Sequence, residues 1–205
     1  MRDRIELVAT VLLAFAAVAT AWSGYQATRW NGEQAKAGAR TNAIRIDAAR
    51  AQGLAEAQKE VDVATFIQWV DAYAHRETEL TTFYERRFRE EFKPAFEAWR
   101  ATRPLTNLDA PLTPFVMPQY RLAAEEEAKR LDAEAEVSAA SVRRNIQRAS
   151  NYILGVVLFS VALFFAGMST KLATPRLRTL TLVVGCVVFL GTVVWLATQP
   201  VSVSV

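Results

Sequence analysis

Three long apolar runs interrupt an otherwise polar chain of 205 residues, at residues 7–21, 152–168 and 180–198. None of these runs contains Asp, Glu, Lys, Arg or His. A helix needs about 20 mostly apolar residues to cross the core of a bilayer, and about 17 suffice at the lower limit. The pattern therefore predicts three transmembrane helices, the last two of which form a hairpin.

The runs divide the chain into a transmembrane helix over residues 1–21, an extramembrane helical domain over residues 22–150 and a transmembrane hairpin over residues 151–205. The small residues that end the first run also fit the cleavage site of a signal peptide. We favour a retained helix because aromatic residues follow the run, and Trp and Tyr collect at membrane–water interfaces. The residues expected to anchor the protein there are Trp22, Tyr25, Trp30, Tyr152 and Trp195.

The distribution of charge predicts the orientation in the membrane. The formal net charge of +3 resides in the hairpin loop, which carries Lys171, Arg176 and Arg178. Short basic loops stay in the cytoplasm, whereas long domains translocate largely regardless of charge. We therefore expect a multi-pass protein of the bacterial inner membrane with a cytoplasmic N-terminus and with residues 22–150 outside the cytoplasm. Basic residues on the domain side, such as Arg29 and Arg148, argue for the reverse.

The extramembrane domain itself is electrically neutral. Of the 24 basic and 21 acidic residues, five and two respectively lie outside it, which leaves 19 of each inside. Nucleic-acid-binding domains carry a basic patch or a clear positive excess. No nucleic-acid partner is therefore expected.

Small residues recur at heptad spacing in both halves of the extramembrane domain. Steps that alternate between three and four residues are typical of a coiled coil. We expect a tight antiparallel stalk of two helices, each continuous with a transmembrane helix. The alternative is that each row of small residues faces a neighbouring subunit. The residues expected to pack in the stalk are Ala39, Ile46, Ala49, Leu131, Ala135 and Val142.

Beyond the stalk the composition changes from small to aromatic residues, which predicts a separate helical head. A first break in the outgoing helix is expected within residues 53–61, because an unbroken helix would outrun a return helix over residues 121–150. The aromatic series lies on one helical face and is expected to form the core of the head; the alternative is a docking surface for a partner. The residues of this series are Phe88, Phe92, Phe96 and Trp99.

A proline-rich loop over residues 102–120 follows the aromatic series. Four prolines within fifteen residues exclude a regular helix. A loop of this length in a compact domain is usually functional or a linker. Its apolar content predicts that it packs onto the head. The apolar residues are Leu105, Leu108, Leu112, Phe115, Val116 and Met117.

The sequence contains no pattern typical of catalysis or of a cofactor site. The single histidine, His75, has no further ligands beside it, and zinc or iron sites need several together. The transmembrane runs lack the ionisable residues that mark ion or proton paths. They contain small-residue pairs that favour close helix packing instead. These pairs are Ala17/Ala21, Ala162/Ala166 and Thr181/Gly185.

Several segments resemble an uncharacterised family of small bacterial membrane proteins. The segments are AWSGYQA at 21–27, RWNGEQA at 29–35, FIQW at 66–69, FKPAFEAW at 92–99, YILG at 152–155 and FFAG at 164–167. The resemblance implies one N-terminal and two C-terminal transmembrane helices around a helical middle domain. It implies no activity and no site residues.

The expected fold class is all-α: a three-helix transmembrane bundle with an antiparallel helical stalk and an aromatic-rich head. The expected function is that of a non-enzymatic, self-associating scaffold, interaction or sensing protein. Its expected partners are the lipid bilayer and either further copies of itself or another membrane protein, and no cofactor or metal is expected. The alternative is a subunit of an oligomeric channel or transporter.

Overall fold

The structure is a computed structural model that describes residues 2–104 and 106–202, with side chains from residue 5 onward. The described residues form helices and connecting segments with no β-strand, which confirms the all-α fold class. A short 3-10 turn, Pro114–Val116, lies in the proline-rich loop. The α-helices are α1 (Arg2–Ala74), α2 (Thr78–Arg87), α3 (Lys93–Ala101), α4 (Ala123–Lys171) and α5 (Pro175–Ala197).

The outgoing helix α1 continues without a break to Ala74, so the break predicted within residues 53–61 is wrong. The segment from residue 22 to residue 74 contains no proline and is rich in strong helix formers. A single glycine such as Gly53 costs a helix only about 1 kcal/mol relative to Ala, too little to end it. The chain turns back after Ala74 through the short helices α2 and α3.

The chain forms two compact units, whose boundaries differ from the predicted domain limits at residues 22 and 150. The membrane unit comprises Met1–Arg40 and Val137–Val205, and the head unit comprises Thr41–Glu136. Helices α1 and α4 each contribute to both units, since neither helix is interrupted at the edge of its apolar run.

Three helices are long and apolar enough to cross a membrane, namely α1, α4 and α5. The chain therefore has the composition of a multi-pass membrane protein, as the three runs predict. In the membrane unit, Ala9 and Leu12 of α1 form a buried cluster with Ala166 of α4 and Leu182 of α5. All three helices thus contribute to one apolar core.

Helices α4 and α5 approach closely where small residues meet. A Cβ atom built on Gly185 would lie 3.3 Å from the carbonyl oxygen of Ala162 and 3.3 Å from Cβ of Phe165. Ala162 and Ala166 are fully buried. The pair Ala17/Ala21 is exposed. Ala9, Ala16 and Ser23 of α1, seven positions apart, are buried instead, and so is Ala27.

Two of the five predicted interface anchors are buried within the membrane unit. Trp22 and Tyr25 are exposed and Trp195 is half-buried, but Trp30 and Tyr152 are buried. The Trp30 indole N–H and the Tyr152 hydroxyl both donate to the carbonyl oxygen of Pro200, each at 3.2 Å.

Gln26, which is fully buried in the membrane unit, binds the segment after α5 at a position closer to the C-terminus than Pro200. Its Oε1 accepts from the backbone N–H of Ser202 at 2.9 Å. Asn151 Nδ2 donates to Gln199 Oε1 at 2.8 Å. Trp30 and Tyr152 are therefore part of a set of contacts that ties the segment after α5 to α1 and α4.

In the head unit α1 and α4 run side by side, and Arg45 Nη2 lies 3.4 Å from Glu136 Oε1. Apart from Phe66 and Ala72, the buried residues of α1 in the head unit recur every seven positions, as in one row of a packed heptad seam. The set consists of Thr41, Ala48, Ala55, Asp62 and Trp69.

The predicted stalk row on α1 is therefore the wrong one. Ala39 and Ala49 are exposed and Ile46 is 54% exposed, whereas on α4 Ala135 is buried and Leu131 and Val142 are half-buried. Two adjacent rows of α1 are equally rich in small residues, and neighbouring positions differ by about 100° around a helix. Only the position of the partner helix decides which row is covered.

Replacing Ala48 with Leu is expected to lower the free energy of unfolding by roughly 1–3 kcal/mol, because Ala48 is 4% exposed and the added atoms overpack the contact. The matched control is Ala49→Leu on the exposed side of the same helical turn, which should change stability by no more than about 0.5 kcal/mol. Urea unfolding of both variants in detergent measures the difference. Equal destabilisation would contradict the assignment of the buried row.

Candidate binding groove

The head unit is built on an aromatic core drawn from α1, the end of α2 and α3. Phe88, Phe92, Phe96 and Trp99 are buried there, and two aromatic residues of α1 complete the cluster. The series does not lie on one helix, since α2 ends at Arg87 and α3 begins at Lys93 with a proline in its first turn. The four rings of the series are at most 6% exposed, so the series forms core and leaves little ring surface accessible. The two residues of α1 are Phe66 and Trp69.

The proline-rich loop covers only part of this core. Phe115, Met117 and Tyr120 pack against it, and the Trp99 indole N–H donates to the carbonyl oxygen of Pro111 at 2.7 Å. The prediction that the loop packs down is wrong for Leu108, Leu112 and Val116, whose exposures are 103%, 93% and 67%. Leu105 lies outside the described residues.

The exposed leucines border a groove between α1, the end of α3 and the loop. Its volume is about 790 Å³. Phe66, Trp69 and Trp99 contribute buried aromatic rings to its lining. The exposed apolar residues that line it are Ile67, Val70, Tyr73, Leu108 and Leu112.

Most of the polar groups near this groove are already hydrogen-bonded within the head unit. The Trp69 indole N–H donates to Glu85 Oε1 at 3.1 Å. Thr106 Oγ1 donates to the carbonyl oxygen of Arg103 at 3.3 Å, and Asn107 Nδ2 donates to that of Thr102 at 3.2 Å. The polar side chains of the loop thus stabilise the conformation of the loop, and the surface that the groove offers to a partner is mainly apolar.

The charged residues that line the groove are Arg100 and Arg103, and none of the described residues that line it is acidic. Arg100 Nη1 lies 3.0 Å from Glu85 Oε1, so its charge is compensated. Arg103 is exposed and takes part in no ion pair among the described residues. Its φ of 55° lies in the left-handed region, where the residue after a helix is most often Gly.

A second polar feature of the head unit is the buried carboxylate of Asp62, whose side chain is 1% exposed. Asp62 Oδ2 accepts from Arg89 Nη1 at 2.9 Å and from the Tyr120 hydroxyl at 3.1 Å. Asp62 Oδ1 is buried without a hydrogen-bond partner among the described residues. Arg89 also pairs with Glu91, which accepts from the backbone N–H of Ala123 at 3.0 Å.

Burial raises the pKa of the Asp62 carboxyl above its ordinary value, while Arg89 and the Tyr120 hydroxyl act in the opposite direction. Burial, together with the Asp62 charge, raises the pKa of Tyr120 above its ordinary value, so the phenol keeps its proton and donates to Asp62. The cluster joins α1, the α2–α3 connection and the start of α4. Because Asp62 is shielded from solvent, we interpret the cluster as a set of interactions that stabilises the packing of these three segments.

The groove and the Asp62 cluster were both missed by the sequence patterns. Asp62 could have been recognised from the sequence, because it lies in the same heptad row as Ala48 and Ala55. A charged residue is unusual in such a row and indicates a buried polar interaction. The groove had no such signal, since it depends on α1 and the loop being brought together. His75 is exposed at the end of α1, and its ring nitrogen lies 2.9 Å from the carbonyl oxygen of Asp71.

Within the described part of the chain, no three His, Cys, Asp or Glu side chains are grouped as metal ligands. No protein-family model, curated protein or solved structure matches the chain. The groove, with its exposed apolar lining, is the feature of the head unit that bears on function.

Proposed function

We propose that this chain is a non-enzymatic, membrane-anchored binding protein whose head captures an apolar partner in the groove. The observation that carries the proposal is the group of large apolar side chains left in water around a concave, aromatic-lined surface. Soluble proteins rarely expose contiguous apolar patches of this kind unless the patch binds another protein, a membrane or a ligand. A volume of about 790 Å³ falls within the usual range of binding pockets.

The orientation belongs to the same proposal. The basic hairpin loop favours a cytoplasmic N-terminus in a bacterial inner membrane, with the head outside the cytoplasm. The resemblance to a family of small bacterial membrane proteins supports that setting. A cysteine placed at Leu108 in a Cys186→Ser background should react with an impermeant maleimide in intact cells. Labelling only after lysis would reverse the orientation.

Self-association is a further part of the proposal. Ala39, Ile46 and Ala49 form an exposed heptad row on α1, which leaves it available to a second copy or to another membrane protein. An oligomeric channel is the second candidate. The absence of ionisable residues from the apolar runs counts against it, since such residues mark ion paths.

A photo-reactive amino acid at position 112 tests the proposed function in living cells. Irradiation should yield an adduct at this position, and Val70→Asp should abolish it because a charge in the groove opposes apolar binding. The matched control places the same photo-reactive residue at Leu80, which is exposed on α2 and does not line the groove. The proposal fails if position 112 gives no adduct, or if Leu80 gives as much.

A further inference from the structure

We infer that the partner in the groove is a fatty acid, an amphiphile with one acidic group on one long apolar chain, because the lining offers one cation without an ion-pair partner among the described residues. The acidic group would lie at Arg103, and the apolar chain would lie along the aromatic lining. This inference rests on the proposed function and names the chemistry of its partner.

The lining selects an apolar body. Phe66 has no polar side-chain atom, and the indole N–H groups of Trp69 and Trp99 already donate to Glu85 and Pro111. The polar side chains of the loop, Thr106 and Asn107, are likewise hydrogen-bonded within it. A partner with polar groups along its length would lose hydrogen bonds to water and regain few from this surface.

The charges select an acid at one end. The part of the chain that the structure describes places no acidic residue in the lining, and the charge of Arg100 is compensated by Glu85 at 3.0 Å. Arg103 is the lining cation without an ion-pair partner among the described residues. A guanidinium group binds carboxylate and phosphate oxygens through two parallel hydrogen bonds.

The shape favours a flexible chain. The groove has a volume of about 790 Å³ and is bordered by residues of α1, α3 and the loop. Leu108 and Leu112 are exposed to solvent at the edge of the groove. Their side chains would cover the bound apolar chain from the side of the loop. Each methylene group removed from water in this way adds to the affinity.

Quenching of tryptophan fluorescence by dibrominated stearate tests the inference on the full chain in nanodiscs of zwitterionic lipid. Phe replaces Trp22, Trp30 and Trp195, so that Trp69 and Trp99 of the groove are the remaining fluorophores. Quenching should saturate with dibrominated stearate and be about tenfold weaker with the uncharged dibrominated stearyl alcohol.

Substitutions at Arg103 separate acid recognition from simple partitioning. Arg103→Glu should weaken stearate binding about tenfold, and Arg103→Lys should restore most of it. The control is Arg76→Glu, which reverses the charge of another exposed arginine with positive φ that does not line the groove. Equal effects at both positions, or equal quenching by acid and alcohol, would overturn the role of Arg103.

The source of the acid is distinguished by a second arm with dibrominated phosphatidylglycerol in the nanodisc. Quenching by stearate without quenching by this lipid supports the fatty acid. Quenching by this lipid, alone or together with stearate, overturns the fatty acid in favour of a phospholipid. Photolabelling of the unsubstituted chain with diazirine-bearing stearate, mapped to residues 66–112, checks the result without any tryptophan replacement. If neither probe binds while position 112 still crosslinks to a protein, the amphiphile is wrong and the binding function stands.

Discussion

Replacing Phe92 with Ala is expected to lower the free energy of unfolding of the head unit by about 3–5 kcal/mol, because the cost includes both lost burial and a residual cavity. Phe92 is fully buried at the centre of the aromatic core. Its ring centroid lies 5.0 Å from that of Phe88 and 5.2 Å from that of Phe115. The side chain therefore joins the end of α2 and the proline-rich loop, and its removal weakens both contacts.

Urea unfolding in detergent, followed by the near-ultraviolet circular dichroism of the aromatic residues, measures this effect. The control is Phe83→Ala, since Phe83 lies on α2 with 48% of its surface exposed. That substitution should cost less than about 1 kcal/mol. A Phe92→Ala variant with unchanged stability and lost partner binding would show that the aromatic series is a docking surface after all.

Replacing Arg89 with Ala is expected to cost roughly 3–5 kcal/mol at neutral pH, because it leaves the Asp62 carboxylate buried without its counter-ion. Asp62 retains only the Tyr120 hydroxyl, which donates at 3.1 Å. Glu91, which pairs with Arg89, also loses that contact. The variant thus places two acidic groups near each other with no cation between them.

The cost should depend on pH in a defined direction. Burial already raises the pKa of Asp62 above its ordinary value, and Arg89 opposes that rise. Without Arg89 the folded-state pKa rises further, so the folded variant binds a proton more tightly than the unfolded chain does. Its stability should therefore increase as the pH falls through the raised pKa, and the gap to the unsubstituted protein should narrow.

Asp62→Asn provides the matched control, because it keeps the shape of the side chain and removes its charge. Arg89→Ala in that background should cost much less, about 1 kcal/mol, and should lose most of its pH dependence. Thermal unfolding between about pH 5 and pH 8 compares the four proteins. A full cost for Arg89→Ala in the Asp62→Asn background would show that Arg89 stabilises the head through Glu91 instead.

The features that depend on local composition could be predicted from the sequence. Spans of apolar residues without charges predicted the three helices that are long and apolar enough to cross a membrane. Each charged residue in a bilayer carries its own energetic cost, so the absence of charges can be read directly from the sequence. The aromatic series around Phe92 and Trp99 predicted the members of the head core, because large apolar side chains gain most from burial wherever the chain places them. The uninterrupted run of helix formers could also have predicted an unbroken α1.

The features that depend on distant neighbours were decided by the tertiary structure. The exposed row with Ala49 and the buried row with Ala48 are alike in sequence, and the position of α4 separates them. Leu108 and Phe115 are both apolar residues of the loop. Phe115 packs against the aromatic core, whereas Leu108 is fully exposed. The groove exists because the loop leaves part of that core uncovered. Hydrophobic burial is non-directional, so composition states which side chains favour burial, and only packing determines which of them are covered.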